Sequence, residues 1–385
     1  MTFASFGLHS YINSALAAAG FVEPTPIQAG AIPIVMKGQD VLGLAQTGTG
    51  KTAAFALPIL DRLMKGPRGR VRALVLAPTR ELAEQIREDF ERLGRGTGLR
   101  AASVYGGAGM DAQAKALRGR AEIIVACPGR LLDHMGRGAS LAGVEMLVLD
   151  EADRMFDMGF LPDVRRILAK TPSTRQTMLF SATMPDDVRK LTKECLRDAV
   201  TVSVSTGSAT TVSHALYPVA EHLKGPLLLE LLYRHRDDGS VLVFVRTKRR
   251  AEKVGDKLKA AGHATATLQG NLSQNRRKAA IDGFKAGTVR VLVATDIAAR
   301  GIDVSQITHV INYDVPDTPE AYTHRIGRTG RAARTGDAFT FVTSADSAMV
   351  RDIERKLGRP IESRKLDGFD YGAPMHNIPA GPKPQ

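Results

Sequence analysis

The sequence has no tryptophan, only two cysteines and just 5% aromatic residues among 385. Two lone thiols, Cys127 and Cys195, make neither a disulfide framework nor a zinc-ligand spacing, which suits a reducing, cytoplasmic setting. So few aromatic rings argue against a platform that grips single strands by stacking their bases. Long apolar runs are missing too. Stretches such as residues 73–77 are far too short to cross a bilayer, so no membrane partner is expected. The opening MTFASFGLHS lacks the basic and apolar regions of a secretory signal. Acidic residues are in deficit: 40 Asp and Glu stand against 53 Lys and Arg, a net charge of +13. That balance favours a polyanionic partner, because each neutralised phosphate releases condensed counterions. If the polyanion is a nucleic acid, its backbone is the expected contact.

What is present alternates. At 385 residues the chain exceeds the size at which one hydrophobic core stops growing, so two domains are expected. Short apolar runs predict strands at 41–44, 73–76, 123–126, 146–149 and 178–180, and again at 241–245, 291–294, 310–311 and 338–342. Helices are predicted at 81–93, where Leu82, Ile86, Phe90 and Leu93 share a face, and at 253–261 and 278–284. Strand–helix alternation implies α/β architecture with parallel sheets covered by helices. The pattern runs twice, over 1–205 and 214–360. Between them a small, polar stretch at 203–213 has the composition of a flexible linker, placed at 206–213. The tail, 361–385, is expected to be disordered; from Asp370 it carries Pro374, Pro379, Pro382 and Pro384 with little apolar content.

The predicted strand 41–44 runs into AQTGTGKT (45–52) and then a helical stretch. Gly48 and Gly50 supply the freedom that lets backbone amides approach a phosphate chain. The helix that follows turns its N-terminus to the anion. Lys51 would reach the terminal phosphates and the Thr52 hydroxyl a Mg2+ ion, with Gln46, Thr47 and Thr49 completing the loop. Ala45 departs from the strict pattern, which has glycine there. A plain glycine-rich turn is the competing reading, weakened by the strand before and the helix after. A second strand end, in MLVLDEAD (146–153), delivers Asp150 to the metal and Glu151 to the attacking water. Two adjacent acids could instead mark a helix N-cap.

Asp150-Glu151-Ala152-Asp153 spells the DEAD-box signature, and from Phe3 to about Arg351 the chain resembles the DEAD-box ATP-dependent RNA helicases. The Phe3 start, RALVLAPTREL and VRDIERKLG are similar to the bacterial RhlE subgroup. The resemblance implies two tandem RecA-like doubly wound domains with ATP and Mg2+ in the cleft between them. It also implies closure on RNA that separates a short duplex or remodels an RNA–protein complex. GFVEPTPIQ (20–28) resembles the family's Q motif, which assigns Gln28 to the adenine edge and brings Thr25, Phe21 and the upstream Phe3 to the nucleotide. From the residues alone, Phe3 and Phe21 could equally be core. Ser181-Ala182-Thr183, with Asp153, resembles the element coupling nucleotide state to closure.

Three segments at strand-to-helix junctions resemble the family's RNA-backbone motifs: Pro78-Thr79-Arg80, Gly106-Gly107 and Pro128-Gly129-Arg130. Thr79 can cap the following helix and leave Arg80 to a phosphate. Each alone could be an ordinary turn; their shared placement favours RNA. Cys127 stands where the family usually has threonine, and a thiol is the weaker donor. In the second half, VLVATDIAARGID (291–303) and YTHRIGRTGR (322–331) resemble the principal motifs of the family's second domain. That resemblance assigns Arg328 and Arg331 as arginine fingers, with His324 in the catalytic group and Asp303 near the ribose. It assigns Gly270, Arg277 and Thr295 to RNA, and Gln274 and Asp296 to coupling. Gln269 and Ile302 replace the usual histidine and leucine. The basic group Lys248, Arg249, Arg250, Arg325, Arg328, Arg331 and Arg334 could otherwise be a solvated face.

A phosphate-loop kinase or GTPase does not explain HRIGRTGR or the Gln28 segment. A DNA translocase is disfavoured by the DEAD spelling beside the Q motif. A silent RNA clamp is countered by Lys51, Asp150, Glu151 and Arg328. Ribonucleoprotein or RNA-degradation partners belong to the same expectation, with no residues here that identify them. RNA affinity is expected to be sequence-tolerant and strongly salt-dependent. If about six phosphates are neutralised, raising salt from ~50 to ~200 mM costs on the order of a thousandfold in affinity. Titration of unrelated RNAs at several salt concentrations checks this, and strong preference for one sequence with little salt dependence would contradict it.

Overall fold

Apolar runs without polar alternation become strands covered on both faces. The computed structural model describes residues 2–46, 48–204, 212–299, 307–329 and 336–374. The chain divides into two compact units, Met1–Thr206 and Gly207–Gln385. In the first, the strands are β1 (Val41–Leu44), β2 (Ala73–Leu76), β3 (Ala101–Val104), β4 (Ile123–Ala126), β5 (Met146–Leu149), β6 (Gln176–Ser181) and β7 (Val200–Ser203). Every residue of β2, β4, β5 and β6 is buried, as central parallel strands require. The sheet order is β3-β4-β2-β5-β6-β1-β7, and all pairings are parallel.

Helices cover both faces of this sheet and form two apolar layers. One centres on Phe55, Phe90 and Phe180, the other on Leu74, Leu147 and Leu179. The helix Arg80–Leu93 buries Leu82, Ile86, Phe90 and Leu93 on one side, as its apolar spacing predicts, and starts where the Thr79 hydroxyl accepts the Leu82 N–H at 3.3 Å.

The second unit carries β8 (Val212–Pro218), β9 (Ser240–Phe244), β10 (Thr265–Leu268), β11 (Val291–Ala294), β12 (Ile307–Asn312), β13 (Gly336–Val342) and β14 (Glu362–Ser363). Their order, β10-β11-β9-β12-β13-β8-β14, is again parallel throughout. The two units are thus RecA-like α/β sheets of the same plan.

Two boundaries differ from expectation. Residues 205–211 lie outside the described residues, but Val212 and Ser213, expected in the linker, already belong to β8 in register with Gly336 and Asp337 of β13. Nor is the tail disordered throughout. Glu362 and Ser363 pair with β8, Leu366, Phe369 and Tyr371 pack on the second unit's core, and Ala373 is buried. A few apolar residues spaced among prolines and charges escape a compositional reading, yet they suffice to dock a terminal segment. Residues 375–385, with Pro379, Pro382 and Pro384, lie outside the described residues.

Phe180 is fully buried on β6, 5.5 Å centroid to centroid from Phe55. Phe180→Ala is expected to destabilise the first unit by about 3–5 kcal/mol. Urea unfolding followed by circular dichroism checks this, and an unchanged midpoint would contradict the packing described.

Candidate active site

In open parallel sheets, ligands bind beyond the carboxyl ends of strands. The order of the first sheet sorts those ends by chemistry. Adjacent strands β5, β6 and β1 end in Asp150, Ser181 and the glycine loop. Adjacent strands β3, β4 and β2 end at Gly106-Gly107, Cys127-Pro128-Gly129-Arg130 and Pro78-Thr79-Arg80.

The loop after β1 leads into the helix Lys51–Leu63, capped by Gly50 at φ 92°. A side chain there would be strained, and its Cβ would collide with the Gln28 amide. Gln28, buried on the helix Pro26–Met36, accepts the Thr25 N–H at 2.9 Å and donates to the Gly50 carbonyl at 3.1 Å. The Thr25 hydroxyl donates to the Thr49 carbonyl at 2.8 Å, and the Thr49 hydroxyl to that of Gln46 at 2.7 Å. Gln28 is therefore a brace between its own helix cap and the phosphate loop, with one N–H and one lone pair to spare. Phe3 is buried, edge-on to Phe6 and Phe21. It is a core residue that supports the half-buried Phe21 rather than a surface for a base. Gln46 and Gly48 are exposed and Thr52 is half-buried, while Thr47 lies outside the described residues.

Lys51 is buried and donates to the carbonyl of Ala45 at 3.0 Å. Near it, burial pushes the Asp150 carboxyl up to about 6; the Lys51 ammonium pulls the other way, and the neighbouring Glu151 adds to the rise. Glu151 takes left-handed backbone angles, φ 54° and ψ 52°, uncommon for a residue with a side chain and often seen at functional sites. Its carboxylate accepts from Arg154 at 2.8 Å, with both side chains almost fully buried. No sequence motif marks Arg154, although its i,i+3 spacing from Glu151 on a short helix is a signal. Asp153 ties the strand ends together. One oxygen accepts from the Ala182 N–H (3.2 Å), the Thr183 N–H (2.8 Å) and the Thr183 hydroxyl (2.9 Å). The Ser181 hydroxyl accepts the Asp153 N–H at 3.2 Å and donates to the Thr183 carbonyl at 2.7 Å.

The three basic turns also converge. A Cβ at Gly106 would lie 3.3 Å from an Arg80 nitrogen and 3.8 Å from an Arg130 nitrogen, so both guanidinium groups flank this turn. Gly107, at φ 86°, leaves the space that Arg80 occupies. Arg130 donates to the Ala108 carbonyl at 3.0 Å. Burial pushes the Cys127 thiol up to about 12, so it stays protonated, and it does not cap the helix Pro128–Met135.

In the second unit, Arg325 is structural. It forms two 2.6 Å bonds with Asp296, donates to the Asn312 side chain and the Asp314 carbonyl, and lies 5.0 Å over the Phe244 ring. Thr295 is buried after β11, and Gly270 follows β10 beside Lys248, which donates to Asn271 at 2.7 Å. Gln269, in place of histidine, is buried, donates to Glu252 and accepts the Asn271 N–H. Gln274 opens the helix Gln274–Lys285, on which Arg277 is half-buried. His324 is half-buried on the helix Pro319–Ile326, and Arg328, past its end, is buried rather than a surface residue. Asp303, Arg331, Arg334 and Ile302 lie outside the described residues.

A glycine loop with a buried lysine, and an acidic strand end beside it, define a phosphate-loop nucleotide hydrolase built on RecA-like units. Residues 25–191 match the DEAD/DEAH box helicase family and residues 224–333 the helicase conserved C-terminal domain. The chain is 43% identical to the DEAD-box ATP-dependent RNA helicase CshA of Geobacillus kaustophilus, over 96% of this chain and 79% of that one. It is 42% identical to CshA of Bacillus subtilis, over 96% and 75%. A solved structure of S. cerevisiae Dbp5 bound to RNA and ADP BeF3 is 33% identical, with a TM-score of 0.85 over 95% of each chain. The chain belongs to the DEAD-box ATP-dependent RNA helicase family. The RhlE likeness gains no support from these relatives and stays a resemblance.

Asp153→Asn places an amide donor against backbone donors that the carboxylate accepts. Leaving a buried donor unmet costs about 1–3 kcal/mol, so urea unfolding of the first unit is expected at lower denaturant. An unchanged midpoint would show that the bonds to Ala182 and Thr183 carry no weight.

Proposed function

We propose that this chain is an RNA-stimulated ATPase that unwinds short RNA duplexes or remodels RNA–protein complexes, with ATP binding and hydrolysis driving each cycle. The observation that carries this reading is the buried meeting of Lys51 and Asp150 beyond β1 and β5, beside the Glu151–Arg154 pair.

Lys51 leaves the Ala45 carbonyl for the terminal phosphates, and the amides of Gly48, Thr49 and Gly50 receive the phosphate oxygens. Thr52 and Asp150 would hold Mg2+. Both are hard oxygen donors, and a carboxyl whose ionised form is disfavoured by burial gains from a nearby cation. When bound, Mg2+ neutralises charge on the phosphoryl oxygens. Arg154 holds the Glu151 carboxylate, which orients the attacking water and takes its proton. The spare N–H and lone pair of Gln28 meet the adenine edge, with Thr25 and Phe21 at its side. Arg328 and Arg331 bring positive charge to the transferring phosphoryl group, with His324 in the same catalytic group, and Asp303 meets the ribose. Arg80, Arg130 and the open turn at Gly106 and Gly107 receive RNA phosphates, as do the turns at Gly270 and Thr295, with Arg277. Asp153, Ser181 and Thr183 relay nucleotide state to the rest of the first unit, and Gln274 and Asp296 do so in the second. No helix among the described residues is long and apolar enough to cross a membrane. The free, buried thiols of Cys127 and Cys195 support a cytoplasmic setting.

Glu151→Gln keeps size and hydrogen bonding but removes the base, so ATP and RNA binding are expected to persist while turnover falls at least a hundredfold. Lys51→Ala should instead weaken ATP binding itself. Because Arg328 is buried, Arg328→Lys is the gentler probe of the proposed finger; it keeps a charge but loses the planar fork. Steady-state ATPase with RNA, nucleotide titration calorimetry and thermal unfolding check all three. Wild-type turnover in Glu151→Gln would remove the role given to that residue.

A further inference from the structure

Away from the motifs, two imidazoles and a carboxylate meet at the opposite end of the second sheet. His235 ends the helix Lys224–Arg234, Asp238 lies in the turn before β9, and His309 is near the start of β12, in register with Asp337 of β13. Each of His235, Asp238 and His309 offers one ligand atom, and all these atoms lie within 4.8 Å of one another. No local sequence pattern marks them, because β9–β12 pairing alone brings His309 to a segment more than 70 residues away.

We propose that His235, Asp238 and His309, with Asp337 alongside, bind a divalent transition-metal ion of the zinc class.

The hydrogen bonds prepare His309 for this. Its Nδ1 is 2.9 Å from the Thr308 hydroxyl, which donates its single proton to the Ser240 carbonyl at 3.2 Å. With its proton turned to Ser240, that hydroxyl accepts from Nδ1–H, the tautomer that leaves the Nε2 lone pair for a metal. That Nε2 lies 3.7 Å from a carboxylate oxygen of Asp337. A hydrogen-bonded second nitrogen of this kind is the usual support of a metal-binding histidine. His235 Nδ1 already meets the Asp238 carboxylate at 2.6 Å. The two rings are 4.6 Å apart, and Phe339 packs against both at 5.5 and 5.6 Å.

Ligand atoms around a tetrahedral zinc ion sit roughly 3.4 Å apart, given bonds of about 2.1 Å. The 2.6 Å between His235 and Asp238 and the 4.8 Å limit within the group bracket that value. Exposed Asp238 and half-exposed His235 leave access from solvent. Arg290 is a nearby charge that opposes a cation; it is bonded to the carbonyls of Leu232 and His235 and offset by Asp237 and Asp238. Two imidazoles select zinc, nickel or copper over magnesium and calcium, which prefer all-oxygen sets.

The test uses the full, metal-stripped chain without nucleotide, titrated with Zn2+ against a chromophoric chelator and, separately, with Co2+ to record the visible spectrum. One equivalent of Zn2+ is expected, with a Co2+ spectrum free of thiolate charge-transfer absorption, which separates this site from Cys127 and Cys195. His235→Gln and Asp238→Asn, both at solvent-accessible positions, should each weaken Zn2+ binding at least tenfold, and His309→Gln should abolish it. Zn2+ should raise the melting temperature of the parent but not of these variants, while RNA-stimulated ATPase in Mg2+ stays at the parental level in His235→Gln and Asp238→Asn. Failure of the parent to bind one equivalent, equal affinity in the variants, or a thiolate band would each overturn the proposal. None of these outcomes bears on the ATPase reading.

Discussion

The first unit is organised around the problem of keeping charges inside a protein. Lys51, Asp150, Glu151, Asp153 and Arg154 are all almost fully buried at the ends of parallel strands. An unpaired buried charge costs several kcal/mol, so each needs a partner or must shift its protonation. Lys51 takes the Ala45 carbonyl, Glu151 takes Arg154, and Asp153 takes four donors from Arg154, Ala182 and Thr183. Asp150 accepts the Glu151 N–H at 3.0 Å, yet burial favours its acid form. A site built this way is held ready for a polyphosphate and its cation, which bring the compensation that the protein leaves incomplete.

Sheet order turns this local chemistry into a division of labour. The strands that carry the phosphate loop, the acidic segment and the Ser181–Thr183 turn are neighbours, and the strands that carry the basic turns are neighbours on the other side of the same sheet. The pair β2–β5 is the seam between the two groups. The two groups of strand ends thus meet at one strand pair that is buried along its whole length. Gln28 ties a further element in, since one side chain links the cap of its helix to the backbone of the loop.

Much of this was legible in residue order. Strands 73–76, 123–126, 146–149 and 291–294 needed only runs of buried apolar residues, and the motifs at their ends followed. The weaker strands escaped notice. Ala101–Val104 is short and half-buried, Val200–Ser203 alternates with exposed threonine and serine, and Glu362–Ser363 is held by docking rather than by its own pattern. Side-chain partners were harder still. Arg325 reads as one of several cations in a basic stretch, yet Asp296, Asn312 and Phe244, which make it structural, come from three other elements. Arg328 reads as surface and is buried. Phe3 was open between core and ligand, and only packing decides it. The cluster of His235, Asp238 and His309 has no local signature at all.

The proposed cycle depends on a nucleotide site that RNA switches on. Steady-state ATP hydrolysis by the full chain, measured without nucleic acid, with single-stranded RNA and with single-stranded DNA of the same sequence, addresses it directly. Low basal turnover, a large rise with RNA and little response to DNA is the predicted result. Equal turnover under all three conditions, or stimulation by DNA that matches RNA, would contradict it.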